Sequence, residues 1–500
     1  MIKRGVWRKT SRRDIPENRR CIKCKWVFKV KRNGVFRARL VACGYSQIPG
    51  VDFSENYSPV VNDITFRLLL LLIIKMGLSA KIVDVETAFL YGELDEEIYM
   101  DCPPGMNEAG IDKVGDNDAL LLLACIYGLV QSARQYYKKI VKILRKIGFE
   151  GGEVDPCLFM RKSKKGLVYI ALYVDDNLLV GHPEAIEETV QQLKAHGLIL
   201  KIEDDLADYL SCEIVFSKDK KSAWLGQPHL IANLEKRFGD KVKNLREYVT
   251  PGTPNLNMIR CTDEKLTISK LDQKLYRSGV GMLLYLVKHS RPDISNAVRE
   301  LSKVLDGASP AAFKEMLRVI KFVLDTKSKG LWIKPDMDNK DEPWDLVCFS
   351  DSDYAGDPES RRSVSGFILY VKGVPICWRS KAQRSVTLSS SEAEWVALSE
   401  AVKEIMFVQQ LLESMKIRVK LPIIVRVDNT GAIFMSKNVT TMNRTKHIDV
   451  RTKFVNEFVE DGIIKIVFVE SKNNDSDIMT KNLGGDLYSK HSQKLIRDRI

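Results

Sequence analysis

Residues 168–181 read VYIALYVDDNLLVG, and two adjacent acids, Asp175 and Asp176, interrupt a pattern that is otherwise typical of a buried strand. β-Branched and aromatic residues precede the acids and an apolar run follows them, which predicts a β-hairpin with the acids at its tip. Because strand side chains alternate between faces, the two acids point in opposite directions, and Asp175 is the simpler candidate for a site. Turn chemistry alone is the alternative, since Asp and Asn favour tight turns.

A second strand-like stretch also contains an acid. Residues 81–85 read KIVDV and place Asp84 among apolar side chains. Three carboxylates from two strands can hold two divalent cations about 3.5 to 4 Å apart, which stabilise the attacking and leaving oxygens of a displacement at phosphorus. Asp84, Asp175 and Asp176 are therefore a candidate site for metal-dependent phosphoryl transfer.

The stretch around these acids resembles the YVDD box of reverse transcriptases, and its surroundings resemble the polymerase of copia-type retrotransposons. The further matching segments are KWVFK (25–29), RARLVACGYSQIPGVDFSENYSPVV (37–61), VDVETAFLYGELDEEIYM (83–100), YGL (127–129), DPCLF (155–159) and SRPDISNAVRELSK (290–303). The resemblance implies an α+β chain with the right-hand polymerase fold of fingers, palm and thumb. It also implies that Asp84 and Asp175 hold two Mg²⁺ ions, with Mn²⁺ as an alternative, and that Asp176 supports them.

Other residues are expected to bind the incoming nucleotide. Arg37 and Arg39 alternate onto one strand face, where their guanidinium groups can grip a triphosphate, and a solvated edge strand is the alternative. The resemblance implies that Phe89 packs under the sugar and excludes a 2′-hydroxyl, with a core aromatic as the alternative. Val130 and Ala133 depart from the family pattern, which has lysine and proline there, and this change is expected to weaken template or nucleotide contacts.

A second set of acids follows a charged, proline-bounded stretch at residues 335–343. Asp351 and Asp428 each end a strand-like run. Glu394 lies in register with the apolar stripe of a helix that is predicted to begin at Ser389, where Glu392 would complete a capping box. Carboxylates gathered in this way repel one another unless a divalent metal neutralises them.

This part of the chain resembles the ribonuclease H domain of the same elements. The matching segments, in chain order, are SDSDYAGDPESRRSVSGF (350–367), LSSSEAEWVAL (388–398), VDNTGAIFMSK (427–437), RTKHIDVRTKF (444–454) and SDIMTKNL (476–483). Carried over by position, the catalytic and metal-binding acids are Asp351, Glu394, Asp428 and Asp477. Asp475 is the alternative to Asp477. His447 is a candidate for substrate binding or product release, with an exposed helix-start histidine as an equal alternative.

The composition is that of a soluble globular protein. Lys plus Arg number 78 against 65 Asp plus Glu, a formal charge of +13 that suits a polyanionic partner without establishing one.

The 10 cysteines show no disulfide-scaffold spacing and no signal peptide precedes them, which predicts a reducing compartment. Cys21 and Cys24 lack the two further ligands of a zinc site and are interpreted as structural. The apolar runs are shorter than the roughly 20 residues of a membrane span, so no membrane association is expected.

We interpret the chain as the reverse transcriptase plus ribonuclease H portion of a copia-type Pol polyprotein, copying RNA into DNA and degrading the RNA of the hybrid. The predicted domains are fingers and palm (1–250), a mainly helical thumb and connection (251–335), an α/β ribonuclease H-like domain with a mixed sheet (344–485) and a C-terminal tail (486–500). The expected partners are RNA template, DNA primer, RNA–DNA hybrid and dNTPs, with integrase and capsid-like proteins of the same element as further candidates. The expected location is the cytoplasm, in virus-like particles.

Two alternatives stay open. The first is a catalytically inactive, decayed or domesticated remnant that only binds nucleic acid. Retention of all the expected acids argues against it, whereas a late start relative to the family and the changes at Val130 and Ala133 argue for it. The second is an active nuclease with an inactive polymerase.

Overall fold

The predicted hairpin forms around the two acids. In the computed structural model, which describes residues 1, 4–30, 34–108, 114–337, 342–437 and 446–500, strands Gly166–Ala171 and Asp176–Gly181 pair in antiparallel register. The first strand ends at Ala171, so the expected alternation of faces does not continue to Asp175, which lies in the connecting turn. Val174 in this turn has a φ of +54°, a left-handed conformation that is rare for a β-branched residue.

The helices and strands are numbered here in chain order. The helices are α1 (Asp63–Met76), α2 (Ser132–Lys146), α3 (Pro183–Ala195), α4 (Pro228–Val242), α5 (Lys270–His289), α6 (Ser295–Ser302), α7 (Pro310–Asp325), α8 (Ser390–Ser414), α9 (Thr430–Lys437), α10 (Lys446–Glu460), α11 (Asp477–Thr480) and α12 (Gly485–Leu495). The strands are β1 (Trp7–Ser11), β2 (Cys21–Ile22), β3 (Cys24–Val30), β4 (Phe36–Ala42), β5 (Ser79–Val85), β6 (Ile98–Asp101), β7 (Asp118–Leu122), β8 (Glu150–Gly151), β9 (Leu158–Ser163), β10 (Gly166–Ala171), β11 (Asp176–Gly181), β12 (Leu200–Glu203), β13 (Asp208–Tyr209), β14 (Cys212–Phe216), β15 (Ala223–Gly226), β16 (Lys329–Ile333), β17 (Leu346–Asp353), β18 (Val364–Val371), β19 (Val374–Ala382), β20 (Ile423–Val427), β21 (Ile464–Phe468) and β22 (Ile496–Asp498).

The chain divides into two compact units. Unit 1 comprises residues 1–62 and 79–205, and unit 2 comprises residues 63–78 and 206–500. The predicted bounds at residues 250, 335 and 344 fall inside unit 2, so this division does not test them and they stay predictions.

Unit 1 is built on a six-stranded sheet in the order β12-β5-β11-β10-β9-β8. Its central strands carry fully buried apolar residues, such as Val83, Ile170 and Leu178. The strands expected in the fingers form a separate two-stranded ribbon, β3 paired with β4. Gly34, just before β4, has a φ of +78°, which glycine adopts readily.

Unit 2 contains a five-stranded mixed sheet in the order β19-β18-β17-β20-β21. Strand β17 pairs antiparallel with β18 and parallel with β20, and β20 pairs parallel with β21. Helix α8 begins as predicted, with the Ser389 hydroxyl accepting a hydrogen bond from the Glu392 amide, and its apolar stripe is buried. This topology confirms the predicted α/β domain with a mixed sheet.

The same unit contains a second sheet that the sequence analysis did not predict, in the order β13-β14-β15-β16-β22. Residues 212–216, expected at the end of the palm, form its strand β14. Residues 486–500, expected as a tail, instead supply most of helix α12 and edge strand β22, which pairs with β16. The end of the chain is therefore part of the folded structure.

Residues 250–256, a proline-containing segment between α4 and α5, are held in place by side chains. Arg318 of α7 donates hydrogen bonds to the carbonyl oxygens of Thr250 and Pro251, and Glu315 accepts one from the amide of Thr253. Asn482 donates another to the carbonyl oxygen of Leu256. These bonds replace water around a backbone that has no secondary structure, so the segment is fixed within unit 2.

Two general expectations can be compared with the structure. Within the described ranges, no helix has the length and apolar character required to cross a membrane. All 10 cysteines lie in those ranges and are free thiols.

A buried ion pair lies just before α6. The guanidinium of Arg291 donates two hydrogen bonds of 2.9 Å to the carboxylate of Asp293, and both side chains are inaccessible to solvent. The hydroxyl of Tyr488 on α12 donates a third hydrogen bond, of 2.8 Å, to the same carboxylate. Because buried charges lose their hydration, each charge depends on its partner for stabilisation.

We expect Asp293→Ala to lower the free energy of unfolding by about 3 to 5 kcal/mol, because it leaves the Arg291 guanidinium buried and unpaired. The control is Asp240→Ala, since Asp240 pairs with Lys243 at the exposed surface, where an ion pair contributes little. Urea unfolding monitored by tryptophan fluorescence measures both variants. Equal effects of the two substitutions would contradict a supporting role for the buried pair.

Candidate active sites

The acids of unit 1 are positioned by backbone pairing. Asp84 on β5 lies directly opposite Asp176 on β11, so their Cα atoms are about 4.5 to 5.5 Å apart. The amide of Val85 donates a hydrogen bond of 2.9 Å to the carbonyl oxygen of Asp175. The Asn177 side chain, which is buried, donates to the carbonyl oxygens of Val83 and Asp175 at 3.3 Å each. These bonds bring the three acids to one end of the sheet.

Loss of hydration and repulsion raise the pKa of two of these acids, Asp84 and Asp176. Loss of hydration, followed by repulsion from Asp175, raises the pKa of Asp84. The Asp176 residue as a whole is exposed, yet loss of water around its carboxylate and repulsion from Asp175 and Asp84 raise its pKa to about 6. Lys201 lies opposite Asp84 on β12, and its charge partly offsets the repulsion, as does that of Arg37.

The three carboxylates do not converge on one point. Among the described residues, the group of acids whose ligand atoms all lie within 4.8 Å of one another is found in unit 2, and Asp84, Asp175 and Asp176 form no such group. They are neighbours at the end of two paired strands, and a shared metal site would require their side chains to turn toward each other.

Two of the expected nucleotide-binding residues, Arg37 and Arg39, line a pocket in unit 1, and the third, Phe89, contacts the pocket residue Tyr127. Phe89, in the short helix Ala88–Tyr91, contacts the ring of Tyr127 edge to face, with centroids 4.8 Å apart. The guanidinium of Arg39 lies over the same ring, 4.9 Å from its centroid. Arg37, Arg39 and Tyr127 line a pocket of about 500 Å³ together with Trp26. Tyr127 therefore joins the arginines and Phe89, a role that the sequence analysis did not assign.

The two departures from the family pattern lie at the start of α2. The backbone amide of Val130 donates a hydrogen bond of 2.7 Å to the side chain of Gln47. Ala133 is the second residue of α2, within the first helical turn, where proline is tolerated because its missing amide would have no helical partner. Alanine at this position therefore keeps the helix start intact.

The acids of unit 2 come from separate elements and meet. Asp351 lies on β17, Glu394 on α8, and Asp428 directly follows β20. One carboxylate oxygen from each lies within 4.8 Å of the other two. Asp351 and Glu394 are buried, whereas Asp428 is half-buried. The sheet order places β17 beside β20, so the two strand acids are neighbours by topology.

Glu394 is the acid with the most perturbed surroundings. Its Oε1 accepts hydrogen bonds from the amide of Ser352 at 3.1 Å and from the Ser352 hydroxyl at 3.0 Å. Its Oε2 is buried and has no hydrogen-bond partner in the described part of the chain. Burial, followed by repulsion from Asp351 and Asp428, raises the pKa of Glu394 to about 9.

Asp477 and Asp475 occupy different environments. Asp477, the first residue of α11, is buried, and loss of hydration and repulsion from Asp351 raise its pKa to about 7. Asp475 accepts hydrogen bonds from Lys494 at 2.6 Å and from His491 at 3.0 Å. These bonds hold the pKa of Asp475 below its usual range although burial alone would raise it. Asp477 thus faces the acid cluster, and Asp475 is saturated by its own partners.

Thr480 and Lys481, which follow Asp477 in the chain, complete this environment. The hydroxyl of Thr480 donates a hydrogen bond to Asp351, and the Nζ of Lys481 lies 3.4 Å from carboxylate oxygens of both Asp351 and Asp477. Burial alone would lower the pKa of Lys481, but the charges of these two acids raise it. The sequence analysis missed both residues, although the spacing of Asp477 and Lys481 is that of an i, i+4 pair on a helix. The side chain of His447 lies outside the described residues.

The donor set of unit 2 fits a divalent cation. Carboxylate oxygens are the ligands that Mg²⁺ and Mn²⁺ prefer. Glu394 offers a buried oxygen without a partner, and the acids around it carry repulsion that a cation would remove. Asp351, Glu394 and Asp428 are the residues that would hold the ion, with Asp477 on the Lys481 side.

We expect Glu394→Gln to leave the melting temperature of the metal-free chain nearly unchanged at pH 7, because a carboxyl with a pKa of about 9 is already neutral there. The same substitution should weaken Mn²⁺ binding by roughly tenfold or more, since it removes a ligand charge. The measurement is the rise in melting temperature with Mn²⁺, made in an Asp175→Asn background to weaken metal binding at the unit 1 acids. Glu392→Gln, on the same helix, is the control and should retain the full rise; a full rise in both variants would contradict the assignment.

The chain is similar to known proteins along most of its length. Residues 6–239 match the family described as reverse transcriptase (RNA-dependent DNA polymerase). The chain is 32% identical over 491 residues to the retrovirus-related Pol polyprotein from transposon TNT 1-94 of Nicotiana tabacum. This match covers 94% of this chain and 35% of that protein. It is 31% identical to the Pol polyprotein from transposon RE1 of Arabidopsis thaliana, with 97% of this chain and 32% of that protein covered.

A shorter relative is matched over its full length. The putative transposon Ty5-1 protein of Saccharomyces cerevisiae is 30% identical, with 65% of this chain and 100% of that protein covered. Among solved structures, a foamy viral protease-reverse transcriptase in complex with double-stranded DNA has a TM-score of 0.46 at 12% identity, covering 94% of this chain and 68% of that one. The family assignment rests on the sequence matches.

The chain spans about a third of the length of the two plant Pol polyproteins. The matches cover both the polymerase segment and the segment that carries Asp351, Glu394 and Asp428. The chain belongs to the reverse transcriptase family of copia-type retrotransposon Pol polyproteins.

Proposed function

We propose that the chain is an RNA-directed DNA polymerase with ribonuclease H activity, which copies retrotransposon RNA into DNA and degrades the RNA of the hybrid. The observation that carries this proposal is the register of β5 and β11, which sets Asp84 opposite Asp176 and next to Asp175 in a chain of the reverse transcriptase family. The net charge of +13 is consistent with RNA template, DNA primer and hybrid as partners.

In the polymerase half, Asp84 and Asp175 would hold the metal and Asp176 would support them. When bound, Mg²⁺ or Mn²⁺ would stabilise charge on the attacking and leaving oxygens of the displacement. Arg37 and Arg39 would bind the triphosphate of the dNTP, because guanidinium groups form bidentate hydrogen bonds with phosphate oxygens. Phe89, supported by Tyr127, would lie under the sugar and exclude a ribose 2′-hydroxyl.

In the nuclease half, Asp351, Glu394 and Asp428 would hold the metal, with Asp477 beside them. These carboxylates would orient the water that attacks the RNA phosphodiester. Ser352 fixes the Glu394 side chain through two hydrogen bonds, and Thr480 fixes Asp351, so the donor oxygens are held before substrate arrives. Action within cytoplasmic virus-like particles, together with integrase and capsid-like proteins, remains part of the proposal.

The first test is primer extension on poly(rA) annealed to oligo(dT) with Mg²⁺, followed in parallel with release of fragments from the RNA of a hybrid. Asp175→Asn is expected to abolish extension and to leave RNA cleavage intact, and Asp428→Asn is expected to do the reverse. The reason is that each substitution removes a ligand charge from one site only. If the unchanged chain cuts RNA but extends no primer, the polymerase proposal fails; if it does neither while folded and supplied with metal, the nucleic-acid-binding remnant replaces it.

A second test separates the two neighbouring acids on the α11 segment. Asp477→Asn should reduce RNA cleavage by roughly a hundredfold or more at saturating hybrid, since mutation removes a transition-state interaction. Asp475→Asn should lower the melting temperature, because it removes the partner of His491 and Lys494, and should retain cleavage below that temperature. If folded Asp475→Asn lost cleavage and Asp477→Asn kept it, the assignment of the two acids would be reversed.

A further inference from the structure

Two buried glutamine side chains meet in unit 1, next to the segment that carries Tyr127. Gln47 follows the short helix Gly44–Ser46, Gln131 directly precedes α2, and both are nearly inaccessible to solvent. The Nε2 of Gln47 donates a hydrogen bond of 2.9 Å to the Oε1 of Gln131. Because a buried amide that loses its partner is costly, each side chain holds the other in one orientation. We call these two residues the glutamine pair.

The glutamine pair also binds the backbone on both sides. The Oε1 of Gln47 accepts a hydrogen bond of 2.7 Å from the amide of Val130, and the Nε2 of Gln131 donates one of 3.0 Å to the carbonyl oxygen of Asp52. Each oxygen and nitrogen of the pair therefore has a partner. Residue 130 takes part through its backbone alone, so the valine at this position leaves the contact intact.

Close backbone packing joins the glutamine pair to Tyr127. The amide of Ala42 donates a hydrogen bond of 2.8 Å to the carbonyl oxygen of Tyr127. Gly128 has a φ of +93°, and a side chain at Gly44 would collide with the carbonyl oxygen of Gly128. With the backbones in such close contact, residues 127–131 have little room to shift as long as the hydrogen bonds of the glutamine pair are made.

Tyr127 transmits this position to Phe89. Their rings meet edge to face with centroids 4.8 Å apart, and Phe89 is half-buried, so part of its surface is accessible to a ligand. The energy of an aromatic contact depends on the distance and angle between the rings. A shift of residues 127–131 would therefore change the position of the Phe89 ring.

We propose that the glutamine pair determines how strongly the polymerase discriminates between deoxyribose and ribose. By fixing residues 127–131 it holds Tyr127 against Phe89, and Phe89 then excludes a 2′-hydroxyl. Gln47 acts through this segment and is a positioning residue. The inference rests on the proposed polymerase function and on the place of Phe89 under the sugar.

The test is steady-state incorporation of dTTP and of UTP by the full chain on poly(rA) annealed to oligo(dT). Gln47→Met keeps the length of the side chain but removes both of its hydrogen bonds. The ratio of kcat/KM for dTTP to kcat/KM for UTP should fall about five- to tenfold, with the loss for dTTP mainly in KM. A smaller folded fraction lowers both values equally, so a merely structural role would not change this ratio.

Two further variants test the route from the pair to the sugar. Gln131→Met should lower the ratio as Gln47→Met does, and the double variant should lower it no further, because the two residues act as one unit. Tyr127→Leu removes the ring contact without touching the glutamine pair, and it should lower the same ratio even if the glutamine variants do not fold.

The matched control is Gln192→Met on α3, which removes a glutamine that accepts a hydrogen bond from Arg161 elsewhere in unit 1. It should leave the ratio unchanged. An unchanged ratio in folded Gln47→Met, or in Tyr127→Leu, overturns the inference while the polymerase proposal stands. Absence of any primer extension by the unchanged chain overturns the polymerase proposal and the inference with it.

Discussion

Repulsion between carboxylates is the constraint on which both halves of this protein depend. Acids gathered within a few ångströms destabilise a fold unless the backbone leaves them no alternative position. In unit 1 strand pairing holds the acids in place: the register of β5 and β11 puts Asp84 opposite Asp176 regardless of their charge. In unit 2 the constraint is met by convergence of two parallel strands and a helix, which carry Asp351, Asp428 and Glu394. Loss of hydration, together with the residual repulsion, raises the pKa of Asp176 in unit 1 and of Glu394 in unit 2.

The two sites differ in how much of this repulsion the chain compensates by itself. Lys201 faces Asp84 across a strand, and its influence is that of a nearby charge. Lys481 instead contacts two acids of unit 2 directly, and Thr480 donates a hydrogen bond to one of them. Lys481 thus bridges Asp351 and Asp477, whereas the acids of unit 1 lie side by side without converging. Internal cations of this kind let a cluster of acids persist in the folded chain.

The sequence predicted what depends on local pattern and on family resemblance. The hairpin around Asp175, the cap at Ser389 and the buried stripe of α8 follow from alternation and helical spacing, and the structure confirms them. The α+β fold and the family are confirmed as well. The sequence alone could not decide whether Asp475 or Asp477 faces the acid cluster, because the answer depends on contacts of Asp475 with His491 and Lys494 that only the folded chain creates. The role of Tyr127 depends on its contacts with Phe89 and Arg39, which also exist only in the folded chain, whereas Lys481 was missed although its i, i+4 spacing from Asp477 can be seen in the sequence. The catalytic roles and domain bounds remain predictions.

The pairing of β22 with β16 has a consequence for how this chain tolerates shortening. Residues 496–498 cover one edge of the second sheet of unit 2, and helix α12 before them carries Tyr488 and His491 into buried polar contacts. A stop codon that removed this segment would uncover the hydrogen-bonding edge of β16, which is the kind of surface that recruits strands from other molecules. Strand β16, before the mixed sheet of unit 2, and strand β22, after it, are thus paired with each other, so loss of a few terminal codons would favour aggregation over a merely shorter protein.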